Sequence, residues 1–280
     1  MRTILYSLVA IFLFGIIAPG FIEKANSNNS ILIQSVDKNI SSDFLTQSAK
    51  IISGRLKDFS PGKYDVTIIP ENNQIRVVFS DTWDLKVTED LIIHKGTIEF
   101  YETYNRENLV ELLNGDNHLF TLLSSSKIDN SGTKMGCTSI AEVMKVNDYL
   151  KTLGLSQKCK FAWAQDSNST NACLYALKIN SDEGPVMTGN DIESAKYDQD
   201  RIWIKLQKPA VKVWADVTKR NINNVIALVL DNNVISAPKV MDEISSGEIE
   251  ISGKFTQKEA GYIAALLNNG ELPLSFKVIK

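Results

Sequence analysis

Polar and apolar positions alternate in two periods along the first third of the chain. Ile31–Val36 reads as a short strand. Leu45, Ala49, Ile52, Leu56 and Phe59 then recur at every third or fourth position. That spacing predicts one buried stripe of a helix, capped by Ser41 or Ser42 and broken by Pro61-Gly62. Tyr64–Ile69 and Gln74–Ser80 alternate as strands around the turn Pro70-Glu71-Asn72-Asn73. Leu85–Lys95 is a second helix, stopped by Gly96, and Thr97–Tyr104 a fourth strand. The order β-α-β-β-α-β predicts a ferredoxin-like split unit.

Beyond Asn105 the pattern is looser. Arg106–Leu113 reads as helix, followed by the polar stretch Asn114–Gly136. A helix is predicted at Ser139–Leu153, with Ile140, Val143, Met144, Leu150 and Leu153 inward. Lys158–Ala164 and Ala172–Ile179 form a hairpin, and Ser181–Asp200 reads as mostly polar connection. Arg201–Leu206 alternates as a strand, and Pro209 opens a helix through Asn221. Val225–Leu230 and Val234–Ala237 pair across Asp231-Asn232-Asn233, and Glu248–Phe255 is a further strand. Thr256-Gln257-Lys258-Glu259 is a capping box opening a helix that Gly270 ends and Pro273 seals. Leu274–Ile279 is a last strand. The fold class is α+β, and no internal repeat is present.

The first 27 residues carry no part of this pattern. Thr3–Ile22 is an uncharged run preceded by Arg2. It reads as a signal peptide, with imperfect cut sites at Ala18-Pro19-Gly20 and Ala25-Asn26-Ser27, or as a single membrane anchor. Either reading leaves the remainder outside the cytoplasm, secreted into the periplasm or anchored in the inner membrane by residues 3–22. That compartment permits disulfides. Cys159 and Cys173 lie in the predicted hairpin, where direct pairing is geometrically poor, and Cys137 is the odd one out. Buried free thiols are the expected state.

Composition narrows the functions. The 280 residues hold 30 Lys+Arg against 33 Asp+Glu, so no basic surplus attracts a phosphate backbone, which argues against nucleic-acid partners. Two His and three Cys make a multi-ligand metal site unexpected. The acids Asp182, Glu183, Asp191, Glu193, Asp198 and Asp200 lack EF-hand spacing and read as a solvated connection. His94 is expected near a helix end and His118 in a solvated loop. Nothing in the spacing requires a Cys137–His118 nucleophile. With no paired acids and no phosphate loop, the expectation is a non-enzymatic protein without cofactor. Trp214 shares a helix stripe with Ala210, Val213 and Val217 and is expected in the core. Trp83, Trp163, Trp203 and Trp214 are an aromatic set that could line a peptide groove or pack in the core, and Trp203, which points opposite to Ile202, Ile204 and Leu206, is the candidate polypeptide contact.

Residues 226–238, Ile-Ala-Leu-Val-Leu-Asp-Asn-Asn-Val-Ile-Ser-Ala-Pro, resemble a hallmark of SecD, the membrane subunit that assists Sec-dependent protein export. Ile244, Gly247, Ile251-Ser252-Gly253, Phe255-Thr256, Glu259-Ala260 and Gly270-Glu271-Leu272-Pro273 continue the spacing. Thr188-Gly189-Asn190-Asp191-Ile192, Trp214-Ala215-Asp216-Val217-Thr218 and Ile98–Tyr104 fit the same pattern. The resemblance implies a ferredoxin-like base at 31–104, an inserted α+β head at 105–272 and a return strand at 273–280. It implies hinges at Tyr104-Asn105 and Leu272-Pro273, with the head moving against the base on emerging polypeptide. Unfolded or translocating polypeptide, the Sec channel and intact SecD- or SecF-type subunits are the implied partners.

The departures shape the expectation. Ala25–Ser30 stands where the family has a Gly-Leu-Asp-Leu-x-Gly-Gly motif. Asn223 replaces a usual glycine and would need left-handed backbone. A glycine pair is reduced to Ser246-Gly247. The family's later membrane helices, with their proton-conducting residues, do not follow, so a stand-alone accessory of export is expected. The alternative is an exported binding domain whose fold serves a partner outside export.

Overall fold

The structure is a computed structural model. It describes residues 30–279 apart from 39, 61, 80–82, 125–131, 166–168, 180–183 and 253–254. The apolar run at residues 3–22, the candidate cut sites, Asp182, Glu183 and Gly253 lie outside the described residues.

In chain order the first elements are β1 (Ser30–Ser35), α1 (Ser42–Phe59), β2 (Tyr64–Ile69), β3 (Gln74–Phe79), α2 (Leu85–Ile93) and β4 (Ile98–Glu102). Next come α3 (Arg106–Leu112), α4 (His118–Thr121), β5 (Lys134–Ser139), α5 (Val143–Thr152), β6 (Cys159–Ala164) and β7 (Asn171–Lys178). The chain continues with β8 (Met187–Thr188), β9 (Ile192–Asp198), β10 (Arg201–Leu206), α6 (Lys208–Arg220), β11 (Ile226–Leu230) and β12 (Asn233–Ser236). It closes with β13 (Glu248–Ser252), α7 (Gln257–Asn269) and β14 (Phe276–Ile279).

The first unit is a four-stranded antiparallel sheet of order β14-β1-β3-β2. Ile31, Ile33, Ile75, Val77 and Phe79 project from one face and are buried with Leu45, Ala49, Ile52 and Leu56 of α1. Ser41 caps α1 by accepting from the Phe44 N–H at 3.3 Å.

The predicted fourth strand corrects the expectation. It forms as β4 but leaves this sheet, and β14 takes its place, with Leu32 opposite Ile279. The reason is burial. β4 is apolar on both faces, with Ile98, Phe100 and Tyr101 all buried, so it needs cover on both sides. β14 alternates buried Phe276 with exposed Lys277 and suits a sheet covered on one face.

β4 instead joins a seven-stranded sheet of order β5-β7-β6-β12-β11-β4-β8. Thr103 bridges Leu177, and the Tyr104 N–H donates to the Ala176 carbonyl at 2.8 Å. β4 thus closes onto β7, and β7, β6, β12, β11 and β4 ring a small cluster of Tyr101, Ala162, Tyr175, Leu177, Ala227, Val229 and Val234. The outer side of β6 and β7 buries a second core with α3, α4 and α5, including Leu109, Leu119, Met135, Val146 and Leu174.

Three further expectations change. The 181–200 connection contains β8 and β9; a register shift opposite Lys205/Leu206 interrupts the alternation that would reveal β9. Residues 134–139, which run from the end of the polar stretch into the expected start of the helix, form β5. Ile140–Glu142 is a 3₁₀ turn ahead of α5, which rotates the helix phase: Val146 and Leu150 face the core, whereas Ile140 and Met144 are 45% and 76% exposed. Asn223 does adopt left-handed backbone, at φ 70°.

A small antiparallel sheet, β13-β10-β9, packs through Ile202, Ile204, Ile249 and Ile251 into the largest core. That core runs unbroken from the four-stranded sheet through α7 to Phe100, Ile226 and Leu228. Trp214 lies in it, edge-on to Phe100 at 5.4 Å. Glu102 fastens α6 to β4. Burial alone would raise its pKa, but hydrogen bonds from Arg220, at 3.1 Å to each oxygen, and from Asn221 hold it below the usual range.

Arg55 joins the pieces. Its side chain is fully buried on α1, one turn before Phe59. Nη1 donates to the carbonyls of Leu91 at 3.2 Å and His94 at 2.6 Å. Nη2 donates to Lys95 at 2.9 Å and Gly270 at 2.6 Å. Replacing this fork by Arg55→Met leaves those acceptors short of a donor. The expected loss is at least about 3 kcal/mol of unfolding free energy in urea denaturation. Arg55→Lys recovers less than half, because one ammonium cannot fork to both helix ends. A loss below about 1 kcal/mol for the methionine variant would contradict the hub role.

Candidate polypeptide-binding cleft

Two helices begin at one cleft. Asp84 caps α2 by accepting from the Val87 N–H at 3.2 Å. Thr256 caps α7 in the predicted capping box, with its hydroxyl accepting from the Glu259 N–H and its own N–H donating to the Glu259 carboxylate at 2.8 Å. Phe59 and Ser60, at the end of α1, form the adjoining wall, and Tyr197 of β9 faces them from the small sheet. The cleft is open to solvent and has a volume of about 520 Å³.

The walls are aromatic. Trp83 packs against Phe59, Phe79 and Tyr64 at centroid distances of 6.4, 6.1 and 6.2 Å. Its Nε1–H is buried and has no partner among the described residues. A Cβ on Gly261 would come within 2.9 Å of the Tyr197 ring, so glycine at that place in α7 lets the ring lie on the helix. Across the rim Lys258 donates to Asp84 at 2.5 Å. Lys258 first, and then the Val87 N–H, keeps the Asp84 carboxyl below its usual pKa. The arrangement offers apolar and aromatic surface with a charged rim, which suits recognition of side chains.

Trp203 lies elsewhere. It is 37% exposed at the centre of the outward face of the small sheet, between Lys196 and Glu250 on the neighbouring strands. Ion pairs Arg201–Glu250 at 3.0 Å and Lys205–Glu193 at 2.7 Å flank it. Tyr197 pairs with Ile202 and points the other way, so Trp203 and the cleft occupy opposite faces.

The hinge candidates are tied down. The Tyr104 hydroxyl donates to the Lys158 carbonyl at 3.2 Å, and Asn105 caps α3 through the Asn108 N–H at 2.8 Å. Leu272 is fully buried, and its N–H donates to the Lys95 carbonyl at 2.8 Å beside half-buried Pro273. The chain leaves the four-stranded unit at Lys95-Gly96-Thr97 and returns next to that point. There the Asp231 carboxylate accepts from the N–H groups of Gly96 at 3.1 Å and Thr97 at 2.8 Å. Arg55 and Tyr197 escaped the sequence reading, whereas Trp83 belongs to the tryptophan set expected to line a groove or pack in the core. Arg55 did leave a trace: it is a charge one residue from Leu56 and three from Ile52, inside an apolar stripe.

The cysteine expectation is corrected. Cys137 and Cys173 form a disulfide, with Cα atoms 3.9 Å apart. The β5–β7 register sets them face to face, while the backbone of Cys137 bonds in both directions to Ser124. They are therefore a non-hydrogen-bonded pair, the closer kind in an antiparallel ladder. A polar stretch through Gly136 followed by a helix from Ser139 leaves no strand at 134–139 in the sequence pattern, which hid this. Cys159 alone is free, and burial pushes its thiol up to about 12. His94 caps the end of α2, with its ring edge-on to Tyr262, and His118 is exposed. With Cys137 in the disulfide, a Cys137–His118 nucleophile is ruled out. Among the described residues no group of three or more His, Cys, Asp or Glu is placed to hold a metal, and no helix is long and apolar enough to cross a membrane.

Comparison with known proteins gives a consistent likeness. Residues 166–274 match the family model described as SecDF, P1 head subdomain. The protein translocase subunit SecD of Calditerrivibrio nitroreducens is 26% identical over 293 residues, covering 93% of this chain and 54% of that protein. SecD of Acidaminococcus fermentans is 34% identical over 100 residues, 34% of this chain and 24% of that protein. The chain thus spans about half or less of these relatives. Two solved SecDF structures share the fold at 18% identity. One, in a super-membrane-facing form, has a TM-score of 0.55 over 90% of this chain and 29% of that chain. The other, described as a membrane component that enhances protein export, has a TM-score of 0.50 over 90% of this chain and 98% of that chain. The chain is similar, over most of its length, to a SecD-type periplasmic domain of α+β fold.

The rim gives a pH prediction. Because Asp84 has a lowered pKa in the folded state, its pair with Lys258 holds above the ordinary carboxylate value of 3.8 and is lost as pH falls through the lower folded value. The tryptophan emission difference between the native protein and Asp84→Asn is therefore expected to be constant from neutral pH down to 3.8 and to vanish below it. A difference that vanishes at higher pH would contradict the pair.

Proposed function

We propose that this chain is a non-enzymatic, extracytoplasmic domain that serves Sec-dependent protein export by contacting the translocating polypeptide. The observation that carries the reading is the aromatic-walled cleft between α1, α2, α7 and Tyr197. Unfolded clients expose apolar side chains, and a cleft of this size takes one or two of them with little sequence preference. The SecD likeness supports export as the setting. The Cys137–Cys173 bond supports an oxidising compartment.

In this reading a base comprises residues 30–95 with 273–279, and the head lies between. Leu272 and Pro273 belong to the base–head joint, opposite Gly96. Tyr104 and Asn105 mark a second joint, where α3 to β7, with a core of their own, leave the strand ring. Trp203 is a separate contact on the outward sheet face. The Sec channel and intact SecD- or SecF-type subunits are the proposed membrane partners, with residues 3–22 as anchor or export signal.

Fluorescence anisotropy with a labelled, permanently unfolded polypeptide tests the reading. Saturable binding is expected. Phe59→Ala and Tyr197→Ala should each weaken it by roughly tenfold, the worth of a truncated aromatic anchor. Trp203→Ala should weaken it by a smaller factor and leave the effect of the cleft variants unchanged. Absence of saturable binding, or cleft variants indistinguishable from the native chain, would reject the cleft as the site.

A further inference from the structure

The three cysteines are unequally spaced. The bonded pair, Cys137 and Cys173, is 36 residues apart. Cys159 lies between them, 14 residues from Cys173. In an unfolded chain the chance that two residues meet falls as the three-halves power of their separation. The shorter span therefore closes about fourfold more often than the span that ends up bonded. A protein disulfide oxidant acting on the unfolded chain will favour Cys159–Cys173.

The folded hairpin cannot keep that bond. The β6–β7 register sets Cys173 opposite Ala164 and Cys159 opposite Lys178. The two are five ladder steps apart, on the order of 17 Å, against the roughly 4–7 Å between Cα atoms that a disulfide spans. They also project from opposite faces. Cys159 faces the core of α3, α4 and α5 with Phe161 and Trp163, whereas Cys173 shares its face with Tyr175 and Leu177 of the ring. Docking of β5 then brings Cys137 directly opposite Cys173.

We propose that Cys159 is a transient exchange partner: the chain first closes Cys159–Cys173 and then rearranges to Cys137–Cys173, which makes it a substrate for thiol–disulfide isomerases. In the exchange the Cys137 thiolate attacks Sγ of Cys173. The new sulfur–sulfur bond forms as the Cys159–Cys173 bond breaks, and the electron pair leaves on Cys159. Cys137 has given up a proton and Cys159 takes one, so the step is redox-neutral. Folding then makes it one-way. Cys159 ends 3% exposed, and its thiol, pushed up by burial, stays protonated and does not attack in reverse. A buried odd cysteine beside an oxidised pair is thereby accounted for as the leaving group of the exchange.

A disulfide-mapping time course tests this. The full chain is reduced and unfolded, diluted into buffer with oxidised glutathione, quenched at intervals with N-ethylmaleimide, and mapped by peptide mass spectrometry. At the earliest times Cys159–Cys173 should exceed Cys137–Cys173 about fourfold and then decay as the native bond rises. A catalytic amount of a disulfide isomerase should shorten that lag. Cys159→Ala should oxidise straight to the native bond without a lag and gain nothing from the isomerase. Predominance of Cys137–Cys173 from the first time point overturns the proposal, as does an isomerase effect of equal size on Cys159→Ala. If the alanine variant does not fold, the time course of the native chain still decides between the two.

Discussion

The Arg55 guanidinium is a positive charge placed where water cannot reach and where no carboxylate of the described residues touches it. Burial pulls its pKa down to about 10, so the charge carries a desolvation cost that carbonyl oxygens must offset. Those carbonyls belong to the ends of two helices: Leu91 and His94 at the C-terminus of α2, and Gly270 just past α7. Helix C-termini carry unpaired carbonyls and the negative end of the macrodipole, which makes them suitable neighbours for a buried cation. Lys95, between them, accepts from both Arg55 and the Leu272 N–H. One side chain thus fixes where the chain leaves the four-stranded unit and where it returns. Gly96 is held to glycine by the same constraint, since a Cβ there would come within 2.3 Å of Nη2 at a backbone φ of 79°.

The cleft follows from that anchoring. Both α2 and α7 start at the cleft and end at Arg55, so fixing their C-termini fixes the separation of their N-termini. Asp84 and Lys258 complete the frame at the other end. At the Arg55 end of α7, Asn269 donates to Asp58 of α1 at 2.9 Å, and the Asn268 amide pairs with the backbone of Ala195 at 2.6 and 3.1 Å. Adjacent residues of one helix therefore grip the four-stranded unit and the small sheet. The walls that Phe59, Trp83 and Tyr197 contribute come from three separate stretches of chain, and α7 is what holds them in register.

The part of the molecule from α3 to β7 is built differently. It has its own core, and it meets the rest along β4 and β12. Its edge strand β5 is fastened by the Cys137–Cys173 bond and by Met135, which is fully buried. This is also the stretch where the sequence pattern says least: β5 straddles a polar stretch and the expected start of a helix, the α5 phase is rotated, and the disulfide leaves no local signal. Short strands flanked by polar residues leave little periodicity, and the 3₁₀ turn at Ile140 breaks what there is.

Local signals fared better because local physics makes them. The α1 stripe, the Ser41 cap, the Thr256 capping box and the alternation of β10 all depend on neighbours within a few residues, and the sequence by itself determined them. The spaced motifs around Asp231 and Gly270 likewise carried the SecD likeness. Only the tertiary structure decided which strand closes the first sheet, that Arg55 is a buried hub, and that Cys173 meets Cys137. Each of these is a contact between residues 36 to more than 200 positions apart. β4 and β14 are both plausible fourth strands when read singly. The choice depends on how much apolar surface each must hide on its two faces, a quantity that exists only once the other sheets are assembled around them.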